Sequence, residues 1–200
     1  MESHRYCDLR EGLVSVIVLS CKRFKEFRRL CDSLVPYFNE IETYHPVEKI
    51  LVDNGSGREL VEYANKLDFF DEVIAHEQNL GMARALNDAY ERCQGEFVIL
   101  VEDDMVIDCQ EAFIGRCIEV FRGYPEIGII RLKNQNNWWK PFRVIGPIRS
   151  TRTGIEFWTW LPNRGRENNV WACGSVIFRK VSFFSTGLLS AGQGRMQAHL

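Results

Sequence analysis

VILVEDDMVI, Val98 to Ile107, sets three consecutive acids, Glu102, Asp103 and Asp104, between two apolar runs. Charge next to a core is costly unless it is paired, hydrogen-bonded or bound to a metal. A strand that runs through a core and ends on three carboxylates therefore needs a reason. The run before the acids, Phe97 to Val101 (FVILV), is aromatic and β-branched and predicts a buried strand.

The same pattern recurs on the N-terminal side. Leu13 to Leu19 (LVSVIVL) predicts a strand buried on both faces. Phe24, Phe27, Leu30, Cys31, Leu34, Val35 and Phe38 then recur at helical spacing. Val47 to Val52 (VEKILV) predicts a second strand ending at Asp53, and Asn54-Gly55-Ser56-Gly57 a turn leading to a helix over Glu59 to Leu67. Glu72 to Ala75 predicts a third strand, and Met82, Ala85, Leu86, Ala89, Tyr90 and Cys93 another helical stripe. Beyond the acids, Phe113, Ile114, Cys117, Ile118 and Phe121 mark a helix that stops before Pro125, and Ile127 to Leu132 a fifth strand. Strands spaced by helices predict βαβ units: an α/β, Rossmann-like sandwich with a mainly parallel central sheet and helices on both faces.

After Leu132 the texture changes. Asn134 to Val170 is rich in Asn, Arg, Trp and Pro, and is either a functional loop or a run of short strands with no clear period. Ser175 to Arg179 (SVIFR) predicts a late strand, and Val181 to Leu189 the start of a helix.

The bulk composition excludes several classes. At 200 residues and 46% hydrophobic content the chain can build one core, which predicts one domain over 1–200. The net charge of -2 is spread evenly, so there is no basic footprint of a nucleic-acid binder. Seven cysteines, an odd number with no CxxC pair, predict reduced and mostly buried thiols rather than a disulfide framework or a zinc site. The start MESHRYCDLREG has no apolar signal core, and no run approaches the ~20 residues that span a bilayer. The expected location is the cytoplasm, although a piece of a secretory-pathway enzyme would read the same way.

In an open α/β sheet, ligands bind outside the carboxyl ends of the strands. Here those ends are Ser20-Cys21-Lys22-Arg23, Asp53-Asn54-Gly55-Ser56, Glu77-Gln78-Asn79-Leu80-Gly81 and Glu102-Asp103-Asp104. A parallel sheet brings all four to one edge. Adjacent carboxylates raise one another's pKa unless a cation neutralises them. Magnesium usually takes one or two carboxylates plus substrate phosphates. The triplet thus reads as half of a metal site completed by a diphosphate, and the lack of nearby His or Cys points to Mg2+ or Mn2+ rather than zinc. Alone, the triplet fits a solvated turn better, with Asp104 or Asp108 capping the next helix. At the end of a central strand, beside Asp53, the metal reading accounts for more.

These motifs, in this order, resemble the family 2-type nucleotide-sugar glycosyltransferases with the GT-A fold. VSVIVLS resembles the opening strand, ILVDNGSG the second-strand Asp and its turn, and NLGMARALNDAY the segment with Asn79, Gly81, Ala85 and Asn87. GEFVILVEDD resembles the strand that carries an Asp-x-Asp motif, here in a Glu-Asp-Asp variant with Glu102 and Asp104 at its acidic positions, as in N-acetylglucosaminyltransferases of this fold. The resemblance implies a nucleoside-diphosphate sugar donor, UDP-linked, and transfer with inversion. It implies that 13–107 is the nucleotide and metal half and 108–200 the acceptor half, either whole or cut short at its C-terminus.

Roles follow residue by residue. Ser20, Cys21 and Arg23 would line the base pocket. Asp53, with Asn54 beside it, would accept hydrogen bonds from base or ribose. Gly81 would let the backbone approach, and Arg84 would face the phosphates or simply the solvent. Asp104 would bind Mn2+ or Mg2+ directly, Glu102 through the sugar or a water, and Asp103 would touch ribose or donor sugar.

The resemblance stops at the catalytic base. Trp171 to Leu200 contains no Asp or Glu. The base is Glu156, Glu167, a residue beyond Leu200, or absent, and none is assigned. Trp138 to Trp171 is either an acceptor platform or a hydrophobic cluster under a loop, and His199 either a late metal ligand or a frayed end. A non-catalytic nucleotide- or glycan-binding module is the alternative. A nucleotidyltransferase needs a glycine-rich loop where SCKRF stands, a receiver domain needs paired acids there, and a dinucleotide oxidoreductase needs GxGxxG.

Overall fold

The computed structural model describes residues 9–108, 113–131, 145–160 and 176–180. Its elements are β1 (Arg10–Ser20), α1 (Phe24–Ile41), β2 (Val47–Asn54), α2 (Arg58–Leu67), β3 (Glu72–His76), α3 (Met82–Arg92), β4 (Gly95–Glu102), α4 (Phe113–Gly123), β5 (Ile129–Arg131), β6 (Ile145–Ser150), β7 (Glu156–Trp160) and β8 (Val176–Arg179). A six-stranded sheet runs in the order β3-β2-β1-β4-β8-β5, and β6 and β7 form a separate hairpin. The expected α/β architecture is present: β1 to β4 are mutually parallel, and helices cover both faces.

Alternation within each strand decides which helix goes where. Val14, Val16 and Val18 of β1, with Phe97, Ile99 and Val101 of β4, face one side. They pack on Phe27, Leu30, Leu34 and Phe38 of α1, on α2, and on Ile118 and Phe121 of α4. Ile17, Ile50, Val52, Val98 and Leu100 face the other side and pack on Ala85, Leu86, Ala89 and Tyr90 of α3. Each fully buried Leu, Ile or Phe contributes about 1.5–3 kcal/mol. Pro36 lies inside α1 on its exposed side; the buried stripe outweighs the backbone hydrogen bond the proline removes.

The chain builds β1, β2 and β3 outward in one direction, then crosses back through α3 on the opposite face to place β4 on the other side of β1. Right-handed crossovers require that change of face. The reversal makes the carboxyl ends of β1 and β4 the switch point of the sheet, where sheets of this kind bind ligands.

Beyond β4 the order departs from sequence order. The fifth strand does not join β4; β8 lies between them, antiparallel to both. The hairpin resolves part of the texture change after Leu132, with β7 containing Trp158 and Trp160. It is tied to α4 by Thr153, which donates to Glu119, and by the Tyr124 hydroxyl, which donates to the Ser150 carbonyl at 2.7 Å. Trp138, Trp139, Trp171, Glu167, His199 and the helix expected from Val181 lie outside the described residues. Among the described residues no helix is long and apolar enough to cross a membrane.

Four of the cysteines are described, and all are free thiols. Cys31, Cys93 and Cys117 are buried, whereas Cys21 is partly exposed at the sheet edge. Burial pushes the Cys31 and Cys117 thiols up to about 12 and the Cys93 thiol up to about 11. Those three are packing residues, not nucleophiles.

Candidate functional site

The parallel registers align the strand ends. Ser20 is opposite Asp53 on one side, and Leu19 is opposite Glu102 on the other, so Asp103 falls one step further, beside Ser20. Asp53, Ser20 and Asp103 therefore form a row across the edge of three strands, and all are buried, at 1%, 1% and 5% exposure. Polar groups this buried must be hydrogen-bonded, and they are.

Asp103 Oδ2 accepts from the Ser20 hydroxyl at 2.9 Å and from the Cys21 N–H at 3.2 Å. Its side chain is thus pinned to the end of β1. Asp104 turns the other way, to an exposed position where its Oδ2 accepts from Arg23 Nη1 at 2.9 Å. The same guanidinium nitrogen lies 3.6 Å from Asp103 Oδ1. Arg29 Nη2 reaches the Asp104 carbonyl at 3.4 Å. Asp104 is not a helix cap, since α4 begins at Phe113, and Asp103 is not solvated. The triplet does form a turn, with the Met105 N–H donating to the Glu102 carbonyl at 3.1 Å, and of its two aspartates Asp104 is exposed and Asp103 buried.

The electrostatics follow from burial. Burial raises the Glu102 carboxyl above its usual range, and Asp104 and Asp103 push it further against the pull of Arg23. Asp103 is likewise raised by burial, although its bonds from Ser20 and Cys21 and the charge of Arg23 oppose the shift. Arg23 is held above its ordinary value by its bond to Asp104 and the charge of Asp103. Three acids face Arg23, with Arg29 reaching only the Asp104 carbonyl, and the edge is short of positive charge.

The second strand end is organised by its own loop. Asp53 Oδ1 accepts from the Ser56 N–H at 3.0 Å and Oδ2 from the Gly57 N–H at 3.4 Å, which shapes the turn into α2. Ser56 Oγ accepts from the Lys22 N–H at 2.8 Å, tying this turn to the loop after β1. Lys22 has a φ of 58°, a left-handed conformation rarely taken by a side-chain-bearing residue. Asn54 Oδ1 accepts from the Leu80 N–H at 2.9 Å, and Asn54 Nδ2 donates to Asn79 Oδ1 at 3.1 Å. Asn79 Oδ1 also accepts from the Gly81 N–H at 2.8 Å. Cys21 Sγ lies 3.2 Å from the Asn54 carbonyl and 3.4 Å from Asn79 Nδ2. Arg84 is exposed in the first turn of α3, with no ion-pair partner among the described residues.

All the residues named from the strand ends are brought to one edge. Ser20, Cys21, Arg23, Asp103 and Asp104 form one connected group, and Asp53, Asn54 and Gly81 a second, joined through Cys21 and Ser56. The joining roles of Asn79 and Ser56 were not anticipated; the signal was their place in loops next to glycine. An open depression of about 620 Å³, lined by Phe24, Arg28, Arg29, Asp32 and Glu59 among others, lies alongside this edge on α1 and the start of α2. It does not contain the acids. Glu156 begins β7.

A family model, glycosyl transferase family 2, matches residues 15–182, from within β1 to just past β8. The chain belongs to glycosyl transferase family 2. This family 2 chain is 28% identical over 118 residues to an undecaprenyl-phosphate 4-deoxy-4-formamido-L-arabinose transferase of Pseudomonas syringae pv. syringae. That match covers 56% of this chain but only 34% of the relative, so the chain spans about a third of that protein. Among solved structures it is similar to S. aureus TarS in complex with UDP-GlcNAc, with a TM-score of 0.57, 21% identity, and coverage of 86% of this chain and 46% of that one. It is also similar to the mannosyltransferase PcManGT from Pyrobaculum calidifontis in complex with GDP-Man and Mn2+, with a TM-score of 0.50, 18% identity, and coverage of 61% and 35%. At these identities the likeness establishes the fold.

Proposed function

We propose that this family 2 chain binds a nucleoside-diphosphate sugar, UDP-linked, at the carboxyl ends of β1 and β4. It transfers the hexosyl or N-acetylhexosaminyl group to an acceptor hydroxyl with inversion. The observation that carries the reading is the split in the acidic triplet. Asp103 is pinned inward by Ser20 and Cys21, while the Asp104 carboxylate is turned outward against Arg23. A solvated turn needs no such division. UDP-GlcNAc and GDP-Man in the complexes of similar fold support the donor class.

The donor atoms fit a hard divalent cation. Glu102 and Asp104 offer oxygen only, and the Arg23 guanidinium already stands at Asp104 as a positive partner. Among the described residues no three acids, histidines or cysteines converge to hold an ion by themselves. Asp104 and Glu102 would hold Mg2+ or Mn2+ together with oxygens of the donor diphosphate. When bound, the ion acts as a Lewis acid that offsets charge on the departing nucleoside diphosphate. Asp104 and Glu102 hold it, Asp103 is positioned for ribose or sugar hydroxyls, and Asp53 keeps acceptor capacity for base or ribose beyond its two turn bonds. Arg84 lies at the positive end of α3, where phosphate is favoured. Residues 108–200 supply the acceptor side, and no catalytic base is assigned; within this chain Glu156 and Glu167 are the candidates.

The test is calorimetric titration of UDP, GDP and UDP-sugars in Mn2+ and then in EDTA. Binding of uridine nucleotides that depends on Mn2+ is the expected result. Absence of binding in both conditions overturns the donor assignment. Metal-dependent binding without sugar transfer or donor hydrolysis favours a non-catalytic binding module.

A further inference from the structure

We infer that Arg23 is an exchangeable counter-ion of the acidic edge: it holds Asp103 and Asp104 until a nucleoside diphosphate arrives, then passes to the diphosphate and leaves the acids to the metal. The inference rests on the donor and metal reading above and adds an order to it. Metal alone meets an edge already neutralised in part by Arg23, while metal with nucleotide meets one that Arg23 has left.

Three observations carry it. The Arg23 guanidinium sits between two carboxylates, 2.9 Å from Asp104 Oδ2 and 3.6 Å from Asp103 Oδ1. Asp103 Oδ2 is already taken by Ser20 and Cys21, so Oδ1 is the oxygen left to face a cation. Second, the side chain is 54% exposed and immediately precedes α1, so it can swing without disturbing packed residues. Third, a cation at the start of a helix meets the positive end of the macrodipole, which disfavours it. Arg23 is therefore held at this edge by the acids, and a diphosphate offers its planar fork a better, bidentate partner.

The exchange makes metal and nucleotide cooperative, and linkage makes that coupling reciprocal. Arg23 is here a positioning residue toward the metal, and its signature is a change in coupling.

The experiment measures Mn2+ binding by loss of the free-ion paramagnetic signal, with and without saturating UDP. It uses the wild-type chain, Arg23→Gln, Arg23→Lys and Asp104→Asn, with urea unfolding to confirm that each is folded. Arg23→Gln is expected to bind Mn2+ alone about two- to fivefold tighter, the worth of an exposed ion pair. The strengthening of Mn2+ binding by UDP should shrink in the same variant. Arg23→Lys, which keeps the charge, should bind Mn2+ alone like the wild type. If Arg23→Gln binds Mn2+ alone no tighter than the wild type, the exchange is wrong. If instead Asp104→Asn binds Mn2+ with UDP as well as the wild type does, the metal assignment itself fails, and the exchange with it.

Discussion

Ser20 donates its hydroxyl to Asp103 at 2.9 Å, joining the ends of β1 and β4 across 83 positions of sequence. Both residues are buried, so the bond is shielded from water. Ser20→Ala removes one of the two short bonds to a buried carboxylate. Hydrogen bonds to charged groups are worth about 1.5–3 kcal/mol, and that loss of stability is the expected result in urea unfolding. UDP binding in Mn2+ should weaken as well, because Asp103 is freed to turn away from the edge. A variant as stable as the wild type would show that Cys21 and Arg23 alone hold the carboxylate.

Two glycines of the site separate conformational strain from close packing. Gly55 has a φ of +83°, and a Cβ there would lie 2.6 Å from the backbone of Gln78 and Asn79. Gly81 has a φ of +82°, and nothing lies within 4 Å of its Cβ position. Gly81 has a ψ of 153°, outside the left-handed helical well and in a region essentially reserved for glycine, so Gly81→Ala should cost the backbone strain alone, about 1–3 kcal/mol. Gly55→Ala adds a backbone clash and should cost about 2–4 kcal/mol, displacing the Asn79 loop. Equal unfolding midpoints for the two variants would contradict this.

The four parallel strands were legible because each is a short β-branched run that ends on a polar cluster. Asp53 and the acidic triplet were legible because charge directly after a buried strand has few bland explanations. The place of β8 was not. VIFR carries no mark of its neighbour, and its insertion between β4 and β5 depends on long-range pairing. Lys22 in a left-handed conformation has no signal either, since only the surrounding loop imposes it. The ion pairs of Arg23 with Asp103 and Asp104 carried no mark in the sequence, because which way a long side chain turns is set by charges that meet only after folding.

The raised carboxyl of Glu102 gives a pH test with a definite sign. A carboxyl raised in the fold contributes stability that is present below its ordinary value of 4.5 and is lost as pH rises through the higher folded value. Glu102→Gln lacks that titration. The variant should therefore gain stability relative to the wild type as pH rises from well below 4.5 to neutrality. Unfolding of both proteins at the two ends of that window measures the gain. Mn2+ with UDP should restore the wild type at neutral pH, and should lose its effect on acidification before ordinary carboxylates protonate.

Thiol chemistry should pick out one of the four described cysteines. Cys21 is partly exposed between Asn54 and Asn79, while Cys31, Cys93 and Cys117 are buried with raised thiols. Alkylation mapped by peptide mass should label Cys21 in the folded chain and the other three only after unfolding. UDP with Mn2+ should slow labelling of Cys21, because the base would lie against it. Labelling unchanged by nucleotide would place the base elsewhere along the edge.

Asp104 is the residue through which metal dependence should pass. Its carboxylate is half exposed and pairs with Arg23, so replacing it leaves the core and the Ser20–Asp103 bond intact. Asp104→Asn should weaken UDP binding strongly in Mn2+ but not in EDTA, since the amide keeps the shape but loses the charge that a hard cation needs. In EDTA the variant should even hold nucleotide slightly better, because Arg23, released from Asp104, becomes available to the diphosphate. Equal binding by variant and wild type in Mn2+ would move the metal off this acid, leaving Glu102 and Asp103 as the ligands to test.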